Sequence, residues 1–250
     1  MNLINPPDKT PEFVAHKTFF SKLINNEIGY NIYLPPEYLK NEKRYPVLYH
    51  LHGWKGNESS DIWKLEKAYK KGNAIVVFAN GTSDNGYING KLPMESIIIT
   101  ELMPHIDANY RTEANRENRV ISGFSMGGAG AFYYAVKYSE LFGEVTAYAA
   151  TFHHFYNKNY HGVGEPAERA AEFYEKMMKE DNSGEFNIIN ILKQCAGKIR
   201  SNLKINLVIG TGDILICDNE IMHFYLDSLD IPHGYRKIAD AGHELEKITQ

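Results

Sequence analysis

The sequence predicts an α/β protein with a mostly parallel central sheet, helices on both faces and an antiparallel hairpin at the N-terminal end. Short apolar runs rich in Val, Ile and Tyr alternate with helical stretches along most of the 250 residues. Uninterrupted apolar runs are typical of strands buried on both faces, as the strands of parallel sheets are. Their alternation with helices predicts βαβ units, and the length suits one large domain.

Each element follows from its local pattern. Segments 12–23 and 28–35, joined by INNE, predict the antiparallel hairpin. The remaining strands are predicted at 45–53, 73–81, 119–124, 144–150, 204–213 and 234–239, and the helices at about 61–71, 95–110, 126–138 and 218–229. We therefore expect one domain over residues 1–250.

A long insertion at about 151–203 interrupts this alternation. It begins with the loop TFHHFYNKNYHGVGEP, continues as the charged helix AERAAEFYEKMMKE and ends with a polar loop and another short helix. The charged helix is amphipathic, with Ala170, Phe173 and Met177 on one face. Insertions of this size in compact domains are often functional, so we expect a lid over the core and not a membrane anchor.

Composition narrows the class of protein. The net charge of −4 argues against a protein that binds nucleic acid, and no apolar run approaches the roughly 18–20 residues of a membrane span. The start of the sequence lacks a basic segment followed by an apolar core, so the protein is expected to be cytoplasmic, or secreted with its leader removed. Cys195 and Cys217 form neither a disulfide framework nor a CxxC motif. We expect both to be buried thiols.

Ser125 is the candidate nucleophile. It lies in Gly123-Phe124-Ser125-Met126-Gly127, a G-x-S-x-G pattern that follows an apolar strand and precedes a helix. This strand–turn–helix setting is that of a nucleophile elbow, whose strained serine needs neighbours without bulky side chains. A glycine-rich turn that only packs the helix against the sheet is the structural alternative.

A serine hydroxyl needs a base, and in this setting the partners follow in the order acid, then histidine. Of the ten histidines, only His243 lies in a small-residue loop after the last strand. Asp213 directly follows the preceding strand, where catalytic groups of α/β sheets gather. Asp218 is the alternative acid, although we interpret it as the N-cap of the next helix.

Two backbone N–H groups are candidates for an oxyanion hole. Met126 begins the helix after the serine, and Trp54 lies in the HGWKG loop after the strand at 45–53. His52 in the same loop precedes the serine and is in the wrong order for the base. We predict that it holds the loop in place.

These motifs together resemble the esterase D-like, or putative esterase, branch of the α/β-hydrolases, and within it the feruloyl and acetyl xylan esterases of carbohydrate esterase family 1. The resemblance runs from YNIYLPPEY through YHLHGWKGNESSDIW, ELMPHIDANYRT, GFSMGGAGAFYYA and GTGDILICDNE to DAGHE. It implies an α/β-hydrolase fold, with the family's triad on Ser125, Asp213 and His243 and its oxyanion hole on Trp54 and Met126. Family members usually continue with a tryptophan and a closing helix. Here only ELEKITQ follows, so we expect a shortened or absent final helix.

The loop that opens the insertion contains the candidate substrate-binding residues His153, Phe155 and Tyr156. Aromatic faces suit both a cinnamoyl ring and a sugar ring, whereas packing of these rings on their own helix is the alternative. His153, His154 and His161 do not have a recognised zinc spacing, and a serine triad needs no metal. We therefore expect neither a metal nor a cofactor.

The sequence thus predicts a serine carboxylic ester hydrolase that works through an acyl-enzyme. By resemblance, its partner is a small ester or esterified oligosaccharide, with feruloyl or acetyl groups on plant polysaccharide such as xylan as the expected substrate. A thioesterase similar to S-formylglutathione hydrolase and an acyltransferase are the enzymatic alternatives. A non-catalytic binding module is disfavoured because serine, acid and histidine are all present.

Overall fold

The computed structural model describes residues 2–82, 86–155, 163–179 and 187–250, with backbone alone for 154–155 and 177–179. Its centre is one eight-stranded sheet in the order β1-β2-β4-β3-β5-β6-β7-β8. The strands are β1 Val14–Ser21, β2 Asn26–Tyr33, β3 Val47–Leu51, β4 Ile75–Ala79, β5 Arg119–Phe124, β6 Glu144–Tyr148, β7 Lys204–Gly210 and β8 His233–Ile238.

Eight α-helical segments are described between and after these strands. They are α1 Glu66–Lys71, α2 Met94–Ser96, α3 Met103–Asn109, α4 Met126–Lys137, α5 Ala170–Lys179, α6 Ile188–Asn202, α7 Ile216–Ser228 and α8 Leu245–Ile248. A π-helical stretch, Ile97–Leu102, joins α2 to α3 into one continuous helix. Within the described residues, no helix combines the length and apolar character that a bilayer crossing requires.

The predicted sheet is confirmed. β1 and β2 form an antiparallel hairpin, β2 pairs antiparallel with β4, and the strands from β4 across to β8 are mutually parallel. The chain leaves β3 for β4 on one side and returns to β5 on the other. In open α/β sheets the loops diverge at such a reversal, which opens a crevice at the carboxyl ends of the strands.

Both faces of the sheet are covered, as strand β4 illustrates. Ile75, Val77 and Ala79 belong to the larger core, together with residues of α3, α4 and α6. Val76 and Phe78 belong to the second core, together with residues of α1 and α8. Because side chains alternate across a strand, the continuous apolar run predicted from the sequence supplies both cores.

Several boundaries differ from the prediction. The helix predicted at 61–71 begins at Glu66, and the one predicted at 218–229 begins at Ile216. The last helix in the described residues, α8, has four residues. Cys217 is buried, but the prediction for Cys195 was wrong, because it lies on the partly exposed side of α6. Candidate residue Tyr156 lies outside the described residues.

Candidate active site

Ser125 occupies the turn between β5 and α4, where the backbone is strained. Its φ of 57° and ψ of −116° are values that a residue with a side chain rarely adopts. Neighbouring strand ends hold this conformation: the Ser125 N–H donates to the Tyr148 carbonyl at 2.8 Å, and its carbonyl accepts from Thr151 N at 3.2 Å and Ala129 N at 3.1 Å. The turn is thus held on both sides.

Two glycines allow the turn to close. A Cβ on Gly123 would lie 2.1 Å from the Gly127 carbonyl oxygen, and a Cβ on Gly127 would lie 2.0 Å from the Leu51 carbonyl oxygen at the end of β3. Real Cβ atoms do not approach backbone atoms this closely, so a side chain at either position would push α4 away from the sheet. Both glycines thus provide the steric clearance that the sequence predicted.

Ser125, His243 and Asp213 form a hydrogen-bonded chain. His243 lies after β8, with Nε2 3.0 Å from Ser125 Oγ and Nδ1 2.8 Å from Asp213 Oδ2. Asp213 lies after β7 and is buried, and its other oxygen accepts from the Leu215 N–H at 2.9 Å. A carboxylate facing Nδ1 places the imidazole proton there and leaves the Nε2 lone pair toward the serine. The arrangement can therefore remove a proton from the hydroxyl.

The side chain of His243 is 31% exposed, whereas that of Asp213 is fully buried. The ring of Phe124, the residue before the serine, lies 4.6 Å from the His243 ring, centroid to centroid, at a tilt of 32°. One side of the imidazole thus packs on an aromatic ring while part of it faces solvent. The imidazole of His243 is therefore accessible from solvent, but its rotation is restricted.

The alternative acid, Asp218, pairs with a different histidine. It is buried in the first turn of α7, where Oδ2 accepts from the His153 backbone N–H at 3.0 Å and lies 2.9 Å from His153 Nδ1. The prediction that Asp218 is the N-cap was wrong: the helix begins earlier, and Leu215 occupies the N-cap position. His153, at the start of the insertion, is thereby fixed in the 3₁₀ turn Phe152–Phe155.

The HGWKG loop lies directly beside the serine. A Cβ on Gly53 would stand 3.4 Å from Ser125 Cβ, which places the next residue, Trp54, at the edge of the crevice. Among the described residues, no protein acceptor takes a hydrogen bond from the backbone N–H of Trp54 or of Met126. The Trp54 side chain is 64% exposed, and Lys55 Nζ lies 4.2 Å from its ring centroid.

His52 holds the HGWKG loop in place through two hydrogen bonds. Its Nε2 accepts from the Gly81 N–H at 3.0 Å, so the proton is on Nδ1, which donates to the Gly53 carbonyl at 2.8 Å. Burial lowers the pKa of the imidazole because desolvation disfavours its charged form. A neutral ring can satisfy both contacts, and it joins the loop after β3 to the loop after β4.

A second set of serine, histidine and aspartate is buried between β3 and β5, and it was not predicted from the sequence. His50 Nδ1 lies 3.0 Å from Ser122 Oγ, and Nε2 lies 3.2 Å from Asp61 Oδ2. Burial raises the pKa of Asp61, but the hydrogen bond and charge of His50, together with Lys64, outweigh it and leave the pKa at about 2. His50 and Ser122 face each other in register on β3 and β5, which is the signal that could have revealed the pair.

The fold and the site define the class. A serine in a strained strand–turn–helix elbow, joined to a histidine and an aspartate at the carboxyl edge of a mostly parallel sheet, is the arrangement of an α/β-hydrolase. The chain belongs to the putative esterase family, whose model matches residues 21–222. The resemblance seen in the sequence is thereby confirmed.

Curated relatives match part of the chain. An esterase of Mycobacterium tuberculosis is 33% identical over 130 residues, which cover 48% of this chain and 28% of that protein. An endo-1,4-beta-xylanase/feruloyl esterase of Xylanibacter ruminicola is 33% identical over 172 residues, which cover 56% of this chain and 23% of that protein. The chain thus spans about a quarter of the length of these relatives.

Solved structures match nearly the whole chain. A ferulic acid esterase superposes with a TM-score of 0.76 at 25% identity. The matched part is 94% of this chain and 92% of the esterase chain. An S-formylglutathione hydrolase from Staphylococcus aureus superposes with a TM-score of 0.73 at 17% identity, with coverage of 93% and 92%. Both share the α/β-hydrolase fold described above.

Proposed function

We propose that the protein is a serine carboxylic ester hydrolase that works through an acyl-enzyme. The observation that carries the proposal is the chain from Ser125 Oγ through His243 to the buried carboxylate of Asp213, with contacts of 3.0 and 2.8 Å. Membership of the putative esterase family supports the same activity.

Acylation begins when the Ser125 oxygen attacks the ester carbonyl carbon. His243 Nε2 takes the hydroxyl proton as the new C–O bond forms, and Asp213 stabilises the resulting imidazolium. The carbonyl oxygen gains the negative charge, for which the backbone N–H groups of Trp54 and Met126 are available donors. The ester C–O bond then breaks, and the leaving alkoxide takes the proton from Nε2.

Deacylation repeats these steps with water. His243 Nε2 removes a proton from water, whose oxygen attacks the acyl carbon, and the proton passes to Ser125 Oγ as the acid is released. The partial exposure of His243 gives water access to Nε2. An alcohol in the same position would make the enzyme an acyltransferase.

For the substrate, we propose feruloyl or acetyl groups esterified to plant polysaccharide such as xylan. The xylanase/feruloyl esterase relative and the ferulic acid esterase structure support this class. Trp54 follows Gly53, which lies beside Ser125, and its exposed aromatic ring is a surface on which a cinnamoyl or sugar ring can stack. We propose His153, Phe155 and Tyr156 as further substrate contacts.

We also propose that the insertion is a lid on this crevice. The Gly164 N–H, within the insertion, donates to the Ile214 carbonyl at 2.7 Å, in the residue that follows Asp213. Exposed Val163 and Ile214 lie on either side of this link. The insertion thereby adds apolar surface to the acid loop.

A fluorophosphonate probe and a substrate panel test the function. The probe should label Ser125, located by peptide mass spectrometry, and labelling at another serine would overturn the mechanism. Initial rates on methyl ferulate, acetylated xylan and S-formylglutathione then separate the substrate classes. A kcat/KM highest for the thioester would replace the polysaccharide proposal with the thioesterase alternative.

Two tryptophans provide a matched pair for the recognition surface. Trp54→Ala should raise the KM for methyl ferulate several-fold, because it removes the stacking face but keeps the backbone N–H. Trp63→Ala removes another exposed ring, 52% exposed against 64% for Trp54, whose Nε1 donates to the Lys9 carbonyl at 3.3 Å, and it should leave that KM unchanged. Equal effects would exclude Trp54 as a specific contact.

A further inference from the structure

A cluster of two histidines and one aspartate lies apart from the hydrolytic residues, between the last long helix and the edge strand. His223 and Asp227 lie one turn apart on α7, and His233 is the first residue of β8. One ligand atom from each of the three lies within 4.8 Å of the other two. His243 follows the carboxyl end of β8, whereas His233 is at its amino end, so the cluster and the hydrolytic residues lie at opposite ends of this strand.

The hydrogen bonds of His233 direct a lone pair into the cluster. Its Nδ1 lies 2.8 Å from the Ile231 carbonyl oxygen, an acceptor only, so the proton is on Nδ1. Nε2 is then unprotonated and lies 2.7 Å from His223 Nδ1. A ring N–H donated to a backbone carbonyl is the usual way in which a metal-ligating histidine is oriented.

The other two side chains complete a convergent set. His223 Nε2 lies 3.6 Å from Asp227 Oδ2, and a carboxylate oxygen of Asp227 lies within 4.8 Å of a ligand nitrogen of each histidine. The Tyr235 ring lies 4.6 Å from the His223 ring at a tilt of 30°, which limits rotation of the imidazole. The side chains of His223 and Asp227 are 28% and 59% exposed, so a hydrated cation can enter.

We propose that His223, Asp227 and His233 bind one Zn²⁺ ion or a similar divalent transition metal. Two imidazole nitrogens and one carboxylate oxygen, with water in the fourth position, are a donor set that zinc accepts. Nitrogens about 2.0–2.1 Å from a tetrahedral ion stand roughly 3.3 Å apart. The 2.7 Å contact between His223 Nδ1 and His233 Nε2 therefore has to open by roughly 0.6 Å when the ion binds.

The bound ion would join α7 to β8. Among the strands that the structure describes, β8 pairs with β7 alone and is the edge strand of the sheet, so its hydrogen bonds to the sheet are on one side. Asp213 precedes α7 and His243 follows β8, which means that the ion would stabilise the two elements adjoining both loops. We assign it a structural role, because the ion would lie at the amino ends of the strands, whereas Ser125 lies at their carboxyl ends.

Zinc binding to the metal-depleted full-length protein tests the site. Isothermal titration with Zn²⁺ alone should give one ion per chain, and Co²⁺ should give the visible absorption of a site with nitrogen and oxygen ligands. His223→Gln, His233→Gln and Asp227→Asn should each weaken binding at least tenfold. Zinc should also raise the Tm of the original protein and not that of these variants.

Matched variants separate this site from other sources of metal affinity. Asp230→Asn removes an exposed carboxylate in the loop between α7 and β8, and His243→Gln removes the histidine beside Ser125. Both should retain one zinc ion with unchanged affinity. Loss of binding in His243→Gln, or full binding in His233→Gln with native circular dichroism, would overturn the proposal. Asp227→Asn keeps the test decisive if a histidine variant does not fold, because Asp227 is exposed.

Discussion

Two sets of serine, histidine and aspartate occur among the described residues, with Ser122 on β5 and Ser125 just after it, and we propose only the set of Ser125 for catalysis. In the outer set, Ser125 lies in a strained turn and His243 is partly exposed. In the inner set, Ser122 lies within the regular strand and His50 is 1% exposed. The three residue types and their contact distances are nearly the same in both sets.

The difference lies in what surrounds each serine. Ser122 faces His50 across two paired strands, where no substrate can approach, and its histidine is turned around, with Nδ1 toward the serine and Nε2 toward the carboxylate. Ser125 projects from the end of the strand beside two N–H groups without a protein acceptor among the described residues. A hydrogen-bonded triad alone therefore does not define a hydrolytic site: access and a place for the oxyanion are also required.

The largest expected effect separates the two serines. Ser125→Ala removes the proposed nucleophile and should lower kcat for p-nitrophenyl acetate by about 10³-fold or more. Ser122→Ala removes a buried hydroxyl, which should cost about 1 kcal/mol in free energy of unfolding and change kcat by less than a few-fold. Initial rates and urea unfolding curves on both variants measure the two effects.

If Ser122→Ala lost activity as completely as Ser125→Ala while remaining folded, the division between an outer and an inner set would fail. Circular dichroism of both variants supplies the folding control. Ser125→Ala should not lose stability, because the strained turn is held by backbone contacts from Tyr148 and Thr151, and the hydroxyl plays no part in them.

The next largest expected effect on kcat distinguishes the two candidate acids, Asp213 and Asp218. Asp213→Asn puts an N–H where His243 Nδ1 needs an acceptor, which turns the imidazole proton toward Ser125 and should lower kcat on the order of 10³–10⁴-fold. Asp218→Asn disturbs His153 and should lower kcat much less. Rates measured on p-nitrophenyl acetate decide between them, and a larger loss at position 218 would make that residue the acid.

The sequence was sufficient for the parts of the fold and site that depend on local pattern. Continuous apolar runs identified the strands, and the order of Ser125, Asp213 and His243 along the chain identified the hydrogen-bonded set. It was not sufficient for the start of α7, because the carboxylate of Asp213 accepts from Leu215 and the helix begins before Asp218.

Pairing between distant residues was also beyond local pattern. His50, Asp61 and Ser122 are brought together by strand register, and His223 and His233 by the packing of α7 against the sheet. Chain order excluded His50 as the general base, and positions in a predicted helix and before the last strand excluded His223 and His233, but neither criterion gave information on what these residues contact. Their contacts depend on tertiary structure, because strand register and helix packing bring together residues that are distant in the sequence.

The smallest expected effect is on the stability of the protein at low pH, and it concerns Asp61 of the inner set. The pKa of Asp61 falls from its ordinary value of 3.8 to about 2 in the folded protein, a difference worth roughly 2 kcal/mol. Because the folded pKa is the lower one, this stabilisation is present above about pH 4 and is lost as the pH falls toward 2. Asp61→Asn should therefore lower the free energy of unfolding at pH 6 but have progressively less effect between pH 4 and pH 2.

Urea unfolding at pH 6, 4, 3 and 2 measures this difference, and a His50→Gln background provides the control. Once the imidazole is absent, most of the pH-dependent cost of Asp61→Asn should disappear, since His50 supplies the principal contact to the carboxylate. kcat for p-nitrophenyl acetate at pH 7 should stay within a few-fold in Asp61→Asn, in contrast to Asp213→Asn. A pH-independent cost, or a loss of kcat comparable to that at position 213, would show that the inner set contributes to the chemistry of the outer one.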